Sequence, residues 1–214
     1  MILITGGFGK LGSSLIKKLN NNKIILIKRG SQYKKINKNT IELKLNNKLH
    51  LKKIFSKYKF NTLIHLAVTR NPMKIKTIRD FSTLAKDTLI NINILSECKN
   101  IKKIILASSV SIYQMKNFPD MIDRKIIIKD ISEFIKKKTF NRRIIIKDYF
   151  EKKKMNININ PLFHQKSNLR LNGSNKYINE ILYTNYCKEK NINMLILRPS
   201  RIIKTEKEKQ SLKK

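Results

Sequence analysis

Three glycines near the amino terminus have the type and spacing that suit phosphate binding. Gly6, Gly9 and Gly12 follow a short apolar run and precede apolar residues at helical spacing. Glycine permits a tight turn with positive φ, and the missing side chains let a diphosphate approach the backbone N–H groups at a helix start. We therefore predict a dinucleotide-binding turn made of Thr5, Gly6, Gly7, Phe8, Gly9, Lys10, Leu11 and Gly12. A tight turn without a ligand is the alternative interpretation.

The elements that must position this turn are indicated by alternating short apolar runs and amphipathic stretches. This alternation is typical of an α/β protein in which crossover helices connect the strands of a parallel sheet. The predicted strands cover residues 2–5, 23–29, 40–45, 61–68, 102–109 and 193–199, and the predicted helices cover 11–19, 49–58, 81–98 and 174–188.

One segment, residues 120–154, interrupts this alternation. It contains "RKIIIKD" and "RRIIIKD", which we interpret as two strands around a short helix or as an inserted subdomain. The pattern does not place this segment in the sheet.

Composition limits the classes of function. The net charge of +34 would attract nucleic acid non-specifically, so a polyanion-binding protein is one hypothesis. However, the lysines are spread along the whole chain, and Lys, Asn and Ile share A- and T-rich codons. We attribute the charge to genome composition and expect no specific nucleic-acid partner.

Location and metal content are also predicted from composition. No apolar stretch approaches the roughly 20 residues of a membrane span, and no basic segment precedes the first apolar run. We therefore expect a cytoplasmic protein without a membrane span. Cys98 and Cys187 lack the spacing of metal ligands and suit a reducing compartment, so no metal site is predicted.

Four stretches together resemble a known family. "ITGGFGKLGSSL", "LIHLA", "IILASSVSIY" and "LRPS" are similar, in order, to the markers of the extended short-chain dehydrogenase/reductases, which include the NAD-dependent epimerase/dehydratases. The resemblance implies a Rossmann-type doubly wound sheet, with NAD or NADP as cofactor and a nucleotide sugar as substrate of transient hydride transfer. We predict a dinucleotide-binding Rossmann domain over residues 1–200 with an insert at about 120–154, then a charged tail at 201–214. We also expect a homodimer.

The resemblance implies a catalytic set of Ser or Thr, Tyr and Lys. Ser109 matches the first, and Lys176 matches the lysine that binds the nicotinamide ribose and lowers the tyrosine pKa. Asn172 stands at the tyrosine position, and an amide cannot serve as a general acid or base near neutral pH. Ser109 as a cap of the next turn, and Tyr149 with Lys153 as a replacement, are the alternatives. A catalytically impaired dinucleotide-binding relative is therefore the alternative function.

The remaining cofactor contacts come from two strand ends. Leu66 and Ala67 match the segment that runs beside the cofactor in the family, where a small side chain permits close approach. Lys28 and Arg29 lie at the tip of the second strand, where basic residues tolerate a 2′-phosphate and favour NADP. The abundance of lysine leaves NAD as the alternative. His65 is predicted to be a packed strand-end histidine.

Overall fold

A computed structural model describes residues 1–19, 23–67, 78–113, 122–149, 171–200 and 202–203 of the chain. The strands are β1 (Ile2–Thr5), β2 (Ile24–Arg29), β3 (Lys34–Asn37), β4 (Thr40–Leu43), β5 (Thr62–His65), β6 (Lys103–Ala107), β7 (Ile122–Asp123), β8 (Ile144–Asp148), β9 (Asn193–Arg198) and β10 (Ile202–Ile203). The helices are α1 (Lys10–Lys18), α2 (Lys48–Lys57), α3 (Ile78–Glu97), α4 (Arg124–Lys136) and α5 (Leu171–Glu189), with a 3₁₀ turn at Val110–Tyr113.

The main sheet has the order β3-β4-β2-β1-β5-β6-β9-β8. Its neighbouring strands are parallel, except that β3 pairs antiparallel with β4. The chain builds outward from β1 in one direction and then returns to add β5 and β6 on the other side. The strand order therefore reverses between β1 and β5, where a doubly wound sheet opens a crevice at its carboxyl edge. This arrangement confirms the predicted Rossmann-type fold.

Two hydrophobic cores cover the two faces of the sheet, because successive strand residues point to opposite sides. Leu3 packs into one core with residues of α2, α3 and α5. Ile2 and Ile4 pack into the other core with residues of α1 and α4. Both faces of β1 are thus buried, which explains why its sequence is a continuous apolar run.

The described residues of the segment that the sequence did not place form β7, α4 and β8; β8 joins the main sheet, and β7 pairs with β10 in a separate two-stranded sheet. The prediction of a strand in "RKIIIKD" is wrong, since this stretch begins α4. Asp123 caps the helix by accepting a hydrogen bond from the Lys125 N–H at 2.8 Å. Ile127, Ile131 and Phe134 recur at helical spacing and are buried. The second stretch does form a strand, β8, which extends the sheet beside β9 rather than building a separate subdomain.

Other differences lie at element boundaries. The sequence missed β3, whose residues are all exposed and show no apolar alternation. The fourth predicted strand ends at His65, and residues 66–67 follow it without regular secondary structure. β10 lies at the start of the predicted charged tail, and residues 204–214 lie outside the described part of the chain. Among the described helices, none is both long and apolar enough to cross a bilayer.

Candidate functional site

The glycine turn joins β1 to α1 at the carboxyl edge of the sheet. Gly6 has a φ of 72°, a backbone conformation that residues with a side chain rarely adopt. A Cβ on Gly6 would lie 2.5 Å from the Ala67 nitrogen, so the turn touches the end of β5 directly. A Cβ on Gly12 would lie 2.5 Å from the Gly6 carbonyl oxygen, so α1 packs closely on the turn. Gly6 and Gly12 are therefore required by the packing of the backbone itself.

Gly9 differs from these two glycines. It is the N-cap of α1 with a φ of −76°, a conformation that any residue can adopt. Among the described atoms, a Cβ on Gly9 would have only the Gly6 carbonyl oxygen within 4 Å, at 3.3 Å. The backbone conformation does not need glycine here, and apart from the tight contact with the Gly6 carbonyl oxygen the missing side chain leaves space at the start of α1. That space is where free helix N–H groups favour an anion.

The other residues of the predicted turn divide into buried and exposed ones. A Cβ on Gly7 would touch Ile16 at 3.2 Å, so this glycine faces the core. Leu11 is buried in the same core, whereas Phe8 is 58% exposed and Lys10 is also exposed. Phe8 and Lys10 thus flank the open side of the turn.

A short polar chain connects the ends of β1 and β5. Thr5 Oγ1 and His65 Nδ1 are 2.7 Å apart and share a hydrogen bond. The Ala67 N–H donates to Thr5 Oγ1 at 3.4 Å, which holds the segment of Leu66 and Ala67 beside the glycine turn. Burial and the nearby Lys176 ammonium lower the pKa of His65 to about 4, so the ring is neutral. The His65 ring also stacks on the Tyr183 ring. The prediction that His65 is a packed strand-end histidine is therefore confirmed.

The tip of β2 carries a charge pair that sequence reasoning missed. Lys28 Nζ lies 3.0 Å from Glu42 Oε2 on the neighbouring strand β4. A Cβ on Gly30 would lie 2.2 Å from the Glu42 side chain, so the absence of a side chain at Gly30 makes room for this carboxylate. In the sequence, this pair could have been suspected only from Glu42, a single acidic residue near the end of β4. Arg29 is exposed at the same tip.

Lys176 lies at the carboxyl end of β6. Its amine is buried, with the residue 9% exposed, and donates to the Ala107 carbonyl oxygen at 2.7 Å. Burial lowers the pKa of Lys176 to about 8, although the carboxylates of Asp87 and Glu180 oppose this shift. The amine is therefore easier to deprotonate than that of an exposed lysine.

Ser109 and α5 meet at the turn that follows β6. A Cβ on Gly173 would lie 2.5 Å from the Ser111 carbonyl oxygen, so α5 begins in direct contact with this turn. Ser109 Oγ accepts a hydrogen bond from the Ser111 N–H at 3.2 Å, the capping contact that we considered as an alternative. Asn172 lies in the first turn of α5, and its side chain is outside the described part of the structure. The structure thus brings Ser109 and Lys176 to the same strand end.

A buried charge cluster, absent from the sequence prediction, supports this corner of the site. Arg198 donates to both carboxylate oxygens of Glu180, at 3.0 and 2.5 Å. It also donates to the Tyr113 hydroxyl, which in turn donates to Asp148 at 2.6 Å. Burial and the Asp148 contact raise the pKa of Tyr113 above its ordinary value. The cluster connects α5 to the ends of β8 and β9. In the sequence, only Arg198 of the "LRPS" stretch pointed to it.

Tyr149 is engaged elsewhere. Its hydroxyl donates to Asp130 of α4 at 2.8 Å, and its ring packs in the core on the α1 and α4 face of the sheet. Burial raises its pKa above the ordinary range. Lys153 lies outside the described residues. The described contacts of Tyr149 therefore lie on the opposite face from α5 and do not favour it as the replacement tyrosine.

The fold and the glycine turn define a doubly wound α/β protein of the Rossmann type. The sequence profile of the NAD dependent epimerase/dehydratase family matches residues 2–164, so the chain belongs to this family. It is 37% identical over 109 residues to the 4-hydroxy-tetrahydrodipicolinate reductase of Buchnera aphidicola subsp. Cinara cedri (strain Cc), a match that covers 50% of this chain and 36% of that protein.

Solved structures of similar fold include two UDP-glucose 4-epimerases. One is 17% identical with a TM-score of 0.58, and the match covers 92% of this chain and 50% of that one. The other, from Bifidobacterium longum in complex with NAD+ and UDP, is 14% identical with a TM-score of 0.56 and coverages of 92% and 52%. The chain thus spans about half the length of these structures.

Proposed function

We propose that this chain is a dinucleotide-binding epimerase/dehydratase-like protein that acts on a nucleotide sugar by transient hydride transfer. The observation that carries the proposal is Gly9, because its backbone conformation does not require glycine and its missing side chain leaves space beside this N-cap, with only the Gly6 carbonyl oxygen of the described atoms close by. A diphosphate fits that space, since helix N–H groups and the helix dipole favour negative charge. Calorimetry with NAD and with NADP tests it, and the absence of binding by either would refute it.

The residues around the turn fit a nicotinamide dinucleotide. The backbone from Gly6 to Gly12 would hold the diphosphate, the segment of Leu66 and Ala67 would run beside the cofactor, and Lys176 would bind the nicotinamide ribose. The cofactor would supply a hydride acceptor that later returns the hydride. Lys176 would donate hydrogen bonds to the ribose. Burial lowers the pKa of its amine to about 8, so this amine would also release a proton more readily than an exposed lysine.

The nucleotide-sugar substrate is supported by the family and by the names of the structural neighbours. The match covers only 50% of the first UDP-glucose 4-epimerase structure. The proposed substrate therefore rests on the half of that structure to which this chain is similar. The test is whether UDP-glucose binds to the protein saturated with NAD. Binding that also produces the absorbance of reduced nicotinamide would indicate hydride transfer.

A catalytically impaired relative is the second candidate, and Asn172 favours it. Its amide cannot exchange a proton with substrate near neutral pH, whereas Ser109 and Lys176 are at one strand end. We expect Asn172→Tyr to gain hydride transfer if the impairment lies at this position alone. Lys176→Met in the same background is the matched control and should abolish the gain. No activity in Asn172→Tyr, with intact cofactor binding, would contradict this arrangement of Ser109 and Lys176.

The choice between NAD and NADP depends on the tip of β2. The sequence favoured NADP because of Lys28 and Arg29. The 3.0 Å pair with Glu42 occupies Lys28 and places a carboxylate near the same tip, which disfavours a 2′-phosphate. We therefore propose NAD as the preferred cofactor, and a lower Kd for NADP than for NAD would contradict it.

We also propose a homodimer formed through α3 and α5. Leu89 and Ile92 on α3 and Ile181 on α5 are 45%, 47% and 42% exposed, although large apolar side chains favour burial. A second copy of the chain would cover these neighbouring helices. Light scattering should show a dimer that Ile92→Glu dissociates, whereas Leu49→Glu on α2 should leave it intact. A monomeric wild-type protein would refute the proposal.

We propose that the protein has no specific nucleic-acid partner despite its net charge of +34. The groove between α1 and α4 nevertheless concentrates cationic side chains, namely Lys17, Lys18, Arg124, Lys125, Lys129 and Lys136. If composition explains them, Lys→Glu at 17, 18 and 125 should reduce retention on DNA no more than the same change at 34, 35 and 52, which lie elsewhere. A clearly larger loss in the groove variant would favour a dedicated polyanion site.

A further inference from the structure

The groove between α1 and α4 contains a cavity that the proposed function does not use. Its volume is about 770 Å³, within the range of roughly 300–1,000 Å³ that is common for small-molecule sites. Ser14, Lys17 and Lys18 line it from the middle and the end of α1. Lys17 lies about 12 Å along the helix axis from Gly9, at a rise of about 1.5 Å per residue. The cavity is therefore separate from the glycine turn.

The walls of this cavity are strongly cationic. They include the five lysines and the arginine of the groove, and the single carboxylate among the described lining residues is that of Glu133. This carboxylate lies 3.9 Å from Lys129 Nζ, and within the described part of the chain the other five cations form no ion pair. Six positive charges and one negative charge give the lining a net charge of +5. The field of these charges attracts anions into the cavity.

Helix stability accounts for only some of these cations. Lys17 and Lys18 lie in the last turn of α1, where the helix dipole favours positive charge. Arg124 and Lys125 instead lie in the first turn of α4, where the dipole disfavours it. Lys125 and Lys129 are also four positions apart, a spacing at which like charges on a helix repel. A negatively charged ligand would offset both unfavourable effects.

The floor of the cavity is uncharged. It is formed by Ser14, Ile128 and Ser132, which are less exposed than the lysines around them. The Ser14 hydroxyl donates to the Lys10 carbonyl oxygen at 3.4 Å, and the Ser132 hydroxyl donates to the Ile128 carbonyl oxygen at 2.8 Å. Because both hydroxyls are bonded to their own helices, recognition of a ligand would depend on the charges of the walls.

Two facing rows of cations suit a chain of consecutive phosphate groups. Such a chain presents negative charge to both walls at once, whereas a single carboxylate reaches only one of them. Helices that pack against each other, as α1 and α4 do, have axes about 8–10 Å apart. The space between them is narrower than duplex DNA, whose major groove alone is about 12 Å wide. A phosphate chain can therefore enter the groove, and a duplex can only lie across it.

We propose that the groove between α1 and α4 binds a small molecule that carries several consecutive phosphate groups. The lysines of α1 would contact the phosphates from one side, and the cations of α4 would contact them from the other. This site goes beyond the proposed function and does not depend on it, since neither the glycine turn nor Lys176 contributes to it.

Calorimetry of the full chain with inorganic tripolyphosphate, at an ionic strength of about 0.15 M, tests the site. At this ionic strength exposed charges farther apart than about 8 Å are largely screened, so dispersed lysines contribute little. The groove variant, which combines Lys17→Gln, Lys125→Gln and Lys129→Gln, should raise the Kd at least about tenfold. The absence of binding by the wild-type protein would overturn the proposal.

The matched control carries Lys→Gln at positions 34, 35 and 52, which are exposed and lie outside the groove. It loses the same charge as the groove variant, so an effect of net charge alone would be equal in the two proteins. We expect the control to change the Kd by less than about threefold. Equal losses of affinity in the two variants would overturn the proposal.

Ser132→Leu fills the cavity without changing any charge. Leucine favours a helix, so the variant should fold, which its circular dichroism spectrum shows directly. We expect its Kd for tripolyphosphate to rise at least about tenfold, whereas binding to dispersed charge would be unaffected. A wild-type Kd in the folded variant would overturn the proposal. If Ser132→Leu does not fold, Ser14→Leu makes the same test from α1.

Three comparisons separate this site from the other candidates. Gly9→Asp should leave the Kd for tripolyphosphate unchanged, and a loss of binding would overturn the proposal by placing the phosphates in the glycine turn. A single-stranded oligonucleotide that binds more tightly than tripolyphosphate at equal phosphate concentration, and loses this affinity in the groove variant, would overturn it in favour of nucleic acid. Tripolyphosphate binding by a wild-type protein that does not bind NAD would support the groove and refute the proposed function.

Discussion

Replacing Gly9 with Asp is expected to stabilise the free protein and to abolish dinucleotide binding. Gly9 is the N-cap of α1 with a φ of −76° and a ψ of 172°, so aspartate fits without backbone strain. The first turn of α1 contains no acidic residue, and Asp is a better cap than Gly. Capping and the helix dipole together should raise the free energy of unfolding by about 0.5–1 kcal/mol, less the cost of moving the Gly6 carbonyl oxygen, which the new Cβ would approach to 3.3 Å.

The same carboxylate should exclude a diphosphate. It would occupy the open space beside Gly9 and bind the N–H groups that the phosphate needs. Two negative charges about 4 Å apart repel by roughly 4 kcal/mol at an effective dielectric constant of 20. That energy corresponds to an increase in Kd of about 1,000-fold for NAD and NADP alike. Calorimetry measures the Kd, and chemical denaturation of the same samples measures stability.

Gly9→Ser is the matched control, because it adds a capping side chain without charge. It should keep the stability of the free protein and weaken binding by no more than about tenfold, the effect of one small group in the approach path. A Gly9→Asp protein that binds NAD within about threefold of wild type would refute the reasoning, since the diphosphate then lies elsewhere. Marked destabilisation of the free variant would instead show that the Gly6 carbonyl oxygen cannot move away from the new Cβ.

Three further predictions concern other residues of the site. The pKa of His65 is about 4 in the fold, below its ordinary 6.5, so the unfolded chain takes up the proton first as pH falls. Stability should therefore drop by about 2 kcal/mol between pH 7 and 5, and denaturation of His65→Gln should lack this part of the pH dependence. Glu42→Gln releases Lys28 and should raise the affinity for NADP relative to NAD by about fivefold in calorimetry, whereas an unchanged ratio would show that Lys28 does not meet the phosphate. Gly173→Ala favours a helix intrinsically, but its Cβ would lie 2.5 Å from the Ser111 carbonyl oxygen; we expect a net loss of about 2 kcal/mol in unfolding experiments, and a gain would contradict this close contact.

The central sheet and the glycine turn were predictable because their determinants are local. β1 is a run of four buried residues, and the glycines that follow it report a backbone requirement directly. β3 was not predictable, since an exposed edge strand has no apolar alternation. The strand predicted in "RKIIIKD" was wrong because three consecutive isoleucines obscure the period, which only Ile131 and Phe134 reveal as helical.

The side-chain partners within the site could not be obtained from sequence pattern. Asp87 and Asn175 are 88 residues apart, and the Tyr113 and Asp148 pair joins positions 35 apart. Periodicity predicts which face of a helix is buried, but not which buried polar group meets which. For the same reason, the pairing of Lys28 with Glu42, which bears on the proposed choice between NAD and NADP, could not be read from the sequence.

The two halves of the proposed site depend on different properties of the chain. The diphosphate half needs a backbone conformation and the absence of side chains, and Gly6, Gly9 and Gly12 provide it without any titratable group. The hydride-transfer half needs a group near Lys176 that exchanges a proton with the substrate. The amide of Asn172 cannot exchange one near neutral pH. Under the proposed function, a single substitution at residue 172 is therefore expected to separate a binding protein from an enzyme without altering the fold or the cofactor affinity. It follows that cofactor binding by the wild-type chain cannot distinguish the two candidates, whereas the difference in hydride transfer between wild type and Asn172→Tyr does so at equal cofactor occupancy.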